Sequence, residues 1–305
     1  MSAKKKCPWL NCPKELHCLF CDFGTRVEVV ELCIDSNDKE KYCIKVLDFV
    51  GEFYSTVEGG VVFHGEFGNY AEDFTYDFKS IEEVASKWFL DLLSNKLFEF
   101  EKIKMDLIGK SNDYEGKKEL LDVKSLEINI PDNNYEDGLL EWWLEKFTDK
   151  IDCLKINSAK KSEVVVQFPE RFNICRKVLD IKGHFVIPQS AFPRIEAEKI
   201  FFQDYSKGTN INNELFVLVL KDWMACLTKR KEITFFANYE ETDIVEKVYD
   251  RMKNNEFSFE KDELTDGYTY KGLDVTMTFY KNATAFNITI FQTLENLKYV
   301  EQSKK

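Results

Sequence analysis

No apolar run in this 305-residue chain approaches the ~20 residues that a membrane-spanning helix needs. The charges at the N-terminus are not followed by the apolar segment of a secretory signal. Without an export signal, nine cysteines, an odd number, fit free thiols in a reducing compartment, cytoplasmic or nuclear, better than a disulfide framework. A basic excess is missing as well. The 42 Lys and Arg residues stand against 54 Asp and Glu, a formal charge of -12, which argues against a nucleic-acid surface and favours a basic partner.

Catalytic signatures are equally scarce. The three histidines, His17, His64 and His184, are scattered, and no nucleophile elbow, zinc-protease helix motif, phosphate loop or dinucleotide fingerprint is present. His64 sits beside Gly65 in a strand-like segment and is read as structural, and His184 follows Gly183 after another and is read as solvated or locally hydrogen-bonded. The acidic run Glu240, Glu241 and Asp243 suits a helix start, where negative charge is favoured. The chain is therefore expected to hold no catalytic residue and no cofactor. An enzyme of unrecognised reaction, or a divergent paralogue with no retained partner, are the competing readings.

One cluster resembles metal chemistry: Cys7, Cys12, Cys18 and Cys21, with His17 beside the third. Four thiolates can hold zinc tetrahedrally, but the short gap between Cys12 and Cys18 leaves little chain for a loop between two ligand pairs. No stoichiometric metal is expected, and residues 1–25 are read as a disordered or cysteine-bearing segment.

Aromatics are plentiful, with 26 Phe, 13 Tyr and 5 Trp, so the core should be filled by large flat side chains. Residues 26–110 read as a β-rich section with one capped helix. Val27 to Ile34 and Lys41 to Leu47 predict a hairpin, and more strand signal follows at Gly60 to His64 and Tyr70 to Phe78. Ser80 and Glu83 form a capping box, and Ile81, Val84, Ala85, Trp88, Phe89, Leu92 and Leu93 follow at helical spacing.

Residues 111–301 show a looser rhythm. Strand-like segments begin near Lys102, Lys124, Ile151, Lys177, Lys199 and Glu232, at steps of roughly 20–30 residues. Helices are expected between several of them, at Glu136 to Phe147, Asn212 to Leu227 and Glu241 to Met252. In the second, Phe216, Val219, Leu220, Trp223 and Leu227 make one apolar stripe. The pattern predicts an α/β fold: a degenerate leucine-rich-repeat-like strand–helix array, closed by a C-terminal hairpin of residues 273–291.

The stretches KVLDIKGHF, KIFFQDYSKGTNINNELFVLVLKDW and GLDVTMTFYKNATAFNITIFQ are similar to the nematode F-box-associated domain of type 2. That resemblance covers most of the chain from about Val27. It implies a non-enzymatic protein-interaction module, a substrate-recognition domain of the kind that accompanies an F-box in cullin ubiquitin ligases. Residues 1–25 do not resemble an F-box, so binding of the ligase adaptor is not expected. A partner is expected on the strand-and-loop side of the repeats, around His184 to Arg194 and Gln203 to Asn210. Phe192, Arg194, Gln203, Asp204, Tyr205 and Lys207 are the candidate contacts, aromatics and polar groups held near Pro188, Pro193 and Gly208.

Overall fold

The computed structural model describes residues 25–34, 41–47, 49–67, 70–77, 79–94, 98–118, 121–131, 136–148, 151–158, 166–167, 174–186, 195–204, 231–236, 246, 249–250, 252–253, 258–262, 267–271, 275–281 and 285–292. The chain divides into two compact units, Met1–Pro131 with Gly138–Ile151, and Asp132–Asp137 with Asp152–Lys305.

The first unit starts with β1 (Thr25–Ile34) and β2 (Lys41–Val46), the expected hairpin, followed by β3 (Phe49–Ser55), β4 (Val61–Phe67) and β5 (Tyr70–Tyr76). Each pairs antiparallel with the one before, a meander in which residues alternate between two faces. Helix α1 (Ile81–Leu93) then crosses back over β2 and β3, and β6 (Phe98–Asp106) and β7 (Ser125–Ile130) extend the sheet in parallel on the far side of β1. The resulting order is β5-β4-β3-β2-β1-β6-β7.

Helix α1 starts where the sequence places it. The Glu83 amide donates to Ser80 Oγ at 3.2 Å, which satisfies one of the unpaired donors of the first turn. Its apolar stripe buries Ile81, Val84, Ala85, Phe89, Leu92 and Leu93. Trp88 lies flat on Phe63 of β4, with ring centroids 4.3 Å apart, and its Nε1 donates to the Tyr76 hydroxyl of β5 at 2.6 Å. Room for these rings comes from Gly51 and Gly65, which face each other across β3 and β4. A Cβ on Gly51 would stand 2.5 Å from the Phe63 ring.

A short helix, α2 (Leu139–Leu144), completes this core. Leu140, Trp143, Leu144 and Phe147 are buried, as their spacing predicts, and the Trp143 Nε1 donates to the Ile108 carbonyl at 2.9 Å. Lys146 is fully buried beside them. Its ammonium donates to the carbonyls of Tyr114 at 2.9 Å and Lys117 at 2.6 Å and sits 4.2 Å from the Trp142 ring centroid.

The second unit has the order β8-β10-β12-β13-β17-β16-β15-β14. Strands β8 (Ile151–Ser158), β10 (Cys175–Gly183), β12 (Lys199–Asp204) and β13 (Lys231–Phe236) stand where the Lys-led apolar runs predict them, and β10, β12 and β13 pair in parallel. β9 (Val166–Gln167) and β11 (Phe185–Val186) form a separate parallel pair. The C-terminal hairpin is β16 (Val275–Lys281) and β17 (Ala285–Gln292), with β17 antiparallel to β13. It does not end the sheet, since β15 (Gly267–Lys271) and β14 (Phe259–Asp262) continue it in antiparallel fashion. Tyr249, in the helical residues around Met252, stacks on Tyr268 of β15 at 4.0 Å.

This architecture corrects the expected fold class. The described residues form mostly β structure in mixed parallel and antiparallel pairing, with α1 and the short α2 as the bounded helices. They are not a leucine-rich-repeat-like strand–helix array. The reason lies in the links. A parallel connection needs a dozen or more residues of return chain but no helix as such. Between β6 and β7 the described return path is irregular apart from one 3-10 turn at Asn112–Tyr114, and Leu107, Ile108, Leu121 and Val123 along it are buried. Of the predicted helices, Glu136 to Phe147 shrinks to α2, while Asn212 to Leu227 lies outside the described residues. Among the described residues no helix is long and apolar enough to cross a membrane.

Candidate functional site

Alternation along the strands of the first unit sends one set of side chains under α1 and the other to solvent. On the solvent side, Asp73 of β5, His64 of β4, Glu52 of β3, Cys43 of β2 and Cys33 of β1 are register partners in turn, a single rung across five strands. Asp106 of β6 extends it, taking the Ile34 amide at 2.8 Å and the Asn129 side chain at 3.0 Å. Around the rung the charges are laced together, with Lys41 to Glu52 at 2.8 Å, Lys104 to Glu31 at 3.0 Å and Lys102 to Glu127 at 2.8 Å.

His64 is held at both ring nitrogens: Nδ1 meets Asp73 Oδ1, and Nε2 meets Glu66 Oε1 at 3.0 Å. The hydrogen bond to Asp73, and then that to Glu66, raise its pKa above the ordinary imidazole value. An imidazolium that gives both N–H groups to carboxylates has no lone pair for proton abstraction, so this is a charge clasp joining β4 to β5. It accords with the structural role expected of His64. Asp73 was not visible beforehand as a partner because it meets His64 only through the β4–β5 register, whereas Glu66 stands two residues along the same strand.

Lys146 was also missed. Burial lowers its pKa, the shift that activates catalytic amines, but its protons are committed to two loop carbonyls and its charge to an indole face. It ties the turn at Tyr114 to the end of α2. Nothing in the local sequence distinguishes it from a surface lysine.

Of the residues proposed to contact a partner, Gln203 and Asp204 are described, at the C-terminal end of β12. They stand in register with Lys182 and Gly183 of β10. Phe192, Arg194, Tyr205 and Lys207 lie outside the described residues, as do Cys7, Cys12, Cys18 and Cys21. Among the described residues no group of three His, Cys, Asp or Glu side chains is placed to hold a metal ion.

The element best suited to engage another molecule is the edge of the first sheet. Among the described residues, β5 is its last strand. It is seven residues long, and residues 70–77 read YAEDFTYD, with three acids, no Lys and no Pro. Glu66 and Asp73 beside it are largely exposed. Comparison with protein-family models, with curated proteins and with solved structures finds no match for this chain.

Proposed function

We propose that this chain is a non-enzymatic protein-interaction module that takes an extended, basic segment of a partner protein as an added strand on β5. The observation that carries the reading is the difference between two end strands, β5 of the first unit and β14 of the second. Edge strands offer unpaired backbone groups, and proteins ordinarily blunt them with short length, lysines or proline. β14 is blunted in that way: four residues, FEKD, with Glu260 ion-paired to Lys271 at 3.6 Å. β5 is longer and lacks both lysine and proline, the form that β-augmentation requires.

The acids Glu66, Asp73 and Asp77, in a chain of formal charge -12, select for Lys and Arg in the incoming strand. The resemblance to F-box-associated domains supports one class of partner, a protein selected for ubiquitin transfer. Selection of random peptides on the whole chain, followed by amide hydrogen exchange, tests the proposal. Enriched peptides should carry Lys or Arg and protect the amides of residues 71–75. A Glu66→Lys, Asp77→Lys variant should bind them roughly tenfold more weakly. Peptides that protect other residues, or the absence of any enriched peptide, would reject the β5 site.

A further inference from the structure

Cys33 and Cys43 stand directly opposite each other in the antiparallel pairing of β1 and β2. Directly opposed residues in such a pair have Cα atoms ~4.5–5.5 Å apart, inside the ~4.4–6.8 Å window that a disulfide spans. The side chains share the solvent face of the sheet. The Cys33 thiol approaches the Cys43 carbonyl at 3.6 Å. Both are free thiols here, Cys33 half-exposed and Cys43 buried. Cys33 is thus the more accessible of the two to a small reagent.

We infer that Cys33 and Cys43 form a reversible dithiol–disulfide pair, oxidised by a low-molecular-weight disulfide such as glutathione disulfide. The Cys33 thiolate attacks one sulfur of the reagent, breaking its S–S bond and releasing one glutathione thiolate, which is protonated by solvent. Cys43 then loses its proton, and its sulfur attacks Cys33 Sγ. This forms the Cys33–Cys43 bond and expels the second glutathione as a thiol. The protein thiols are oxidised and the reagent is reduced, with two glutathione thiols released for each bond formed.

The electrostatics of the rung set the order of attack. The Cys43 S–H, and then the Lys45 ammonium, hold the Cys33 thiol below its usual value, against burial and the charges of Asp106 and Glu31. Its neighbour is pushed upward, first by that shared hydrogen bond and then by burial. The second unit supplies an internal contrast. Cys175 donates to the Val178 carbonyl at 3.0 Å and is fully buried, out of reach of a dissolved reagent, so it should stay a thiol. Oxidation would staple β1 to β2 within the rung that runs on through His64 to Asp73. This inference does not depend on the β5 proposal.

The test uses the full chain with excess glutathione disulfide, trapping of thiols by alkylation and peptide mapping by mass spectrometry. A linked Cys33–Cys43 peptide should appear and revert with dithiothreitol, while Cys175 is alkylated. Cys43→Ser, with Cys43→Ala as a second variant should the first not fold, should leave a stable glutathione adduct on Cys33. Cys33→Ser should leave Cys43 unmodified. Alkylation of both Cys33 and Cys43 in the treated wild type, or an adduct on Cys33 that never resolves to the linked peptide, would overturn the inference.

Discussion

The two faces of the first unit's sheet are made by the same strands and differ in everything else. On the covered side, Phe53 and Phe63 of the sheet, Phe89 of α1 and Trp143 of α2 are buried to the point of touching almost no solvent, and two glycines stand aside to let rings lie flat. On the other side, a rung of Asp, His, Glu and Cys is bordered by ion pairs, each between partly exposed groups. Packing density governs the first face, so a methyl group too many or too few is felt there. Solvent screens the second, where its charges settle charge and chemistry more than stability. The proposed strand addition accordingly lies at the β5 edge of this sheet, and the proposed dithiol chemistry on its second face.

The sharpest way to break this contrast is to attack the covered face. Trp143→Ala removes a fully buried ring and leaves the Ile108 carbonyl without its donor, and should cost about 3–5 kcal/mol in urea unfolding. A loss below about 1 kcal/mol would mean that the covered face is not packed as described. Gly51→Ala drives a methyl group into Phe63 and through it against Trp88, and should cost about 1–3 kcal/mol. The near-UV circular dichroism of the Trp88 stack should change with it. Ser80→Ala, at the start of the covering helix, should cost about 1 kcal/mol by freeing the Glu83 amide.

On the open face the same measurements should barely respond. Lys104→Ala breaks the ion pair to Glu31 and should shift stability by no more than about 0.5 kcal/mol, less still at high salt. His64 gives the pH signature of this face. Its folded pKa is raised, so the contribution of its clasp is fully present below the ordinary imidazole value of about 6.5 and fades as pH rises through the folded value. Asp73→Asn should therefore destabilise the protein more in mild acid than in mild alkali. It should also bring the His64 titration, followed by NMR, down towards the ordinary value.

Much of this was legible in the chain. The alternation of Val27 to Ile34 and Lys41 to Leu47, and of residues 275–291, marks strands because a half-buried sheet imposes period two on its sequence. The Lys-led apolar runs locate β6, β7, β8, β10 and β12, and the Ser80–Glu83 spacing locates α1, because both are local signals. β3 escaped notice because Gly51 interrupts its run, and that glycine makes sense only once the Phe63 ring is seen lying over it. β14 and β15 are short and polar, and they become strands only as extensions of β16.

What joins the parallel strands could not be read from their spacing, since a helix and an irregular buried segment of equal length cover a sheet equally well. Leu107, Ile108, Leu121 and Val123 are apolar in either case. Register was likewise hidden. Shifting β2 by one residue against β1 would turn Cys43 to the opposite face and separate it from Cys33, and the same slip in β5 would part Asp73 from His64. Those pairs lie ten and nine residues apart in the chain with no motif linking them. They exist because the apolar faces of these strands had to share one core, which left one pairing of the opposite faces.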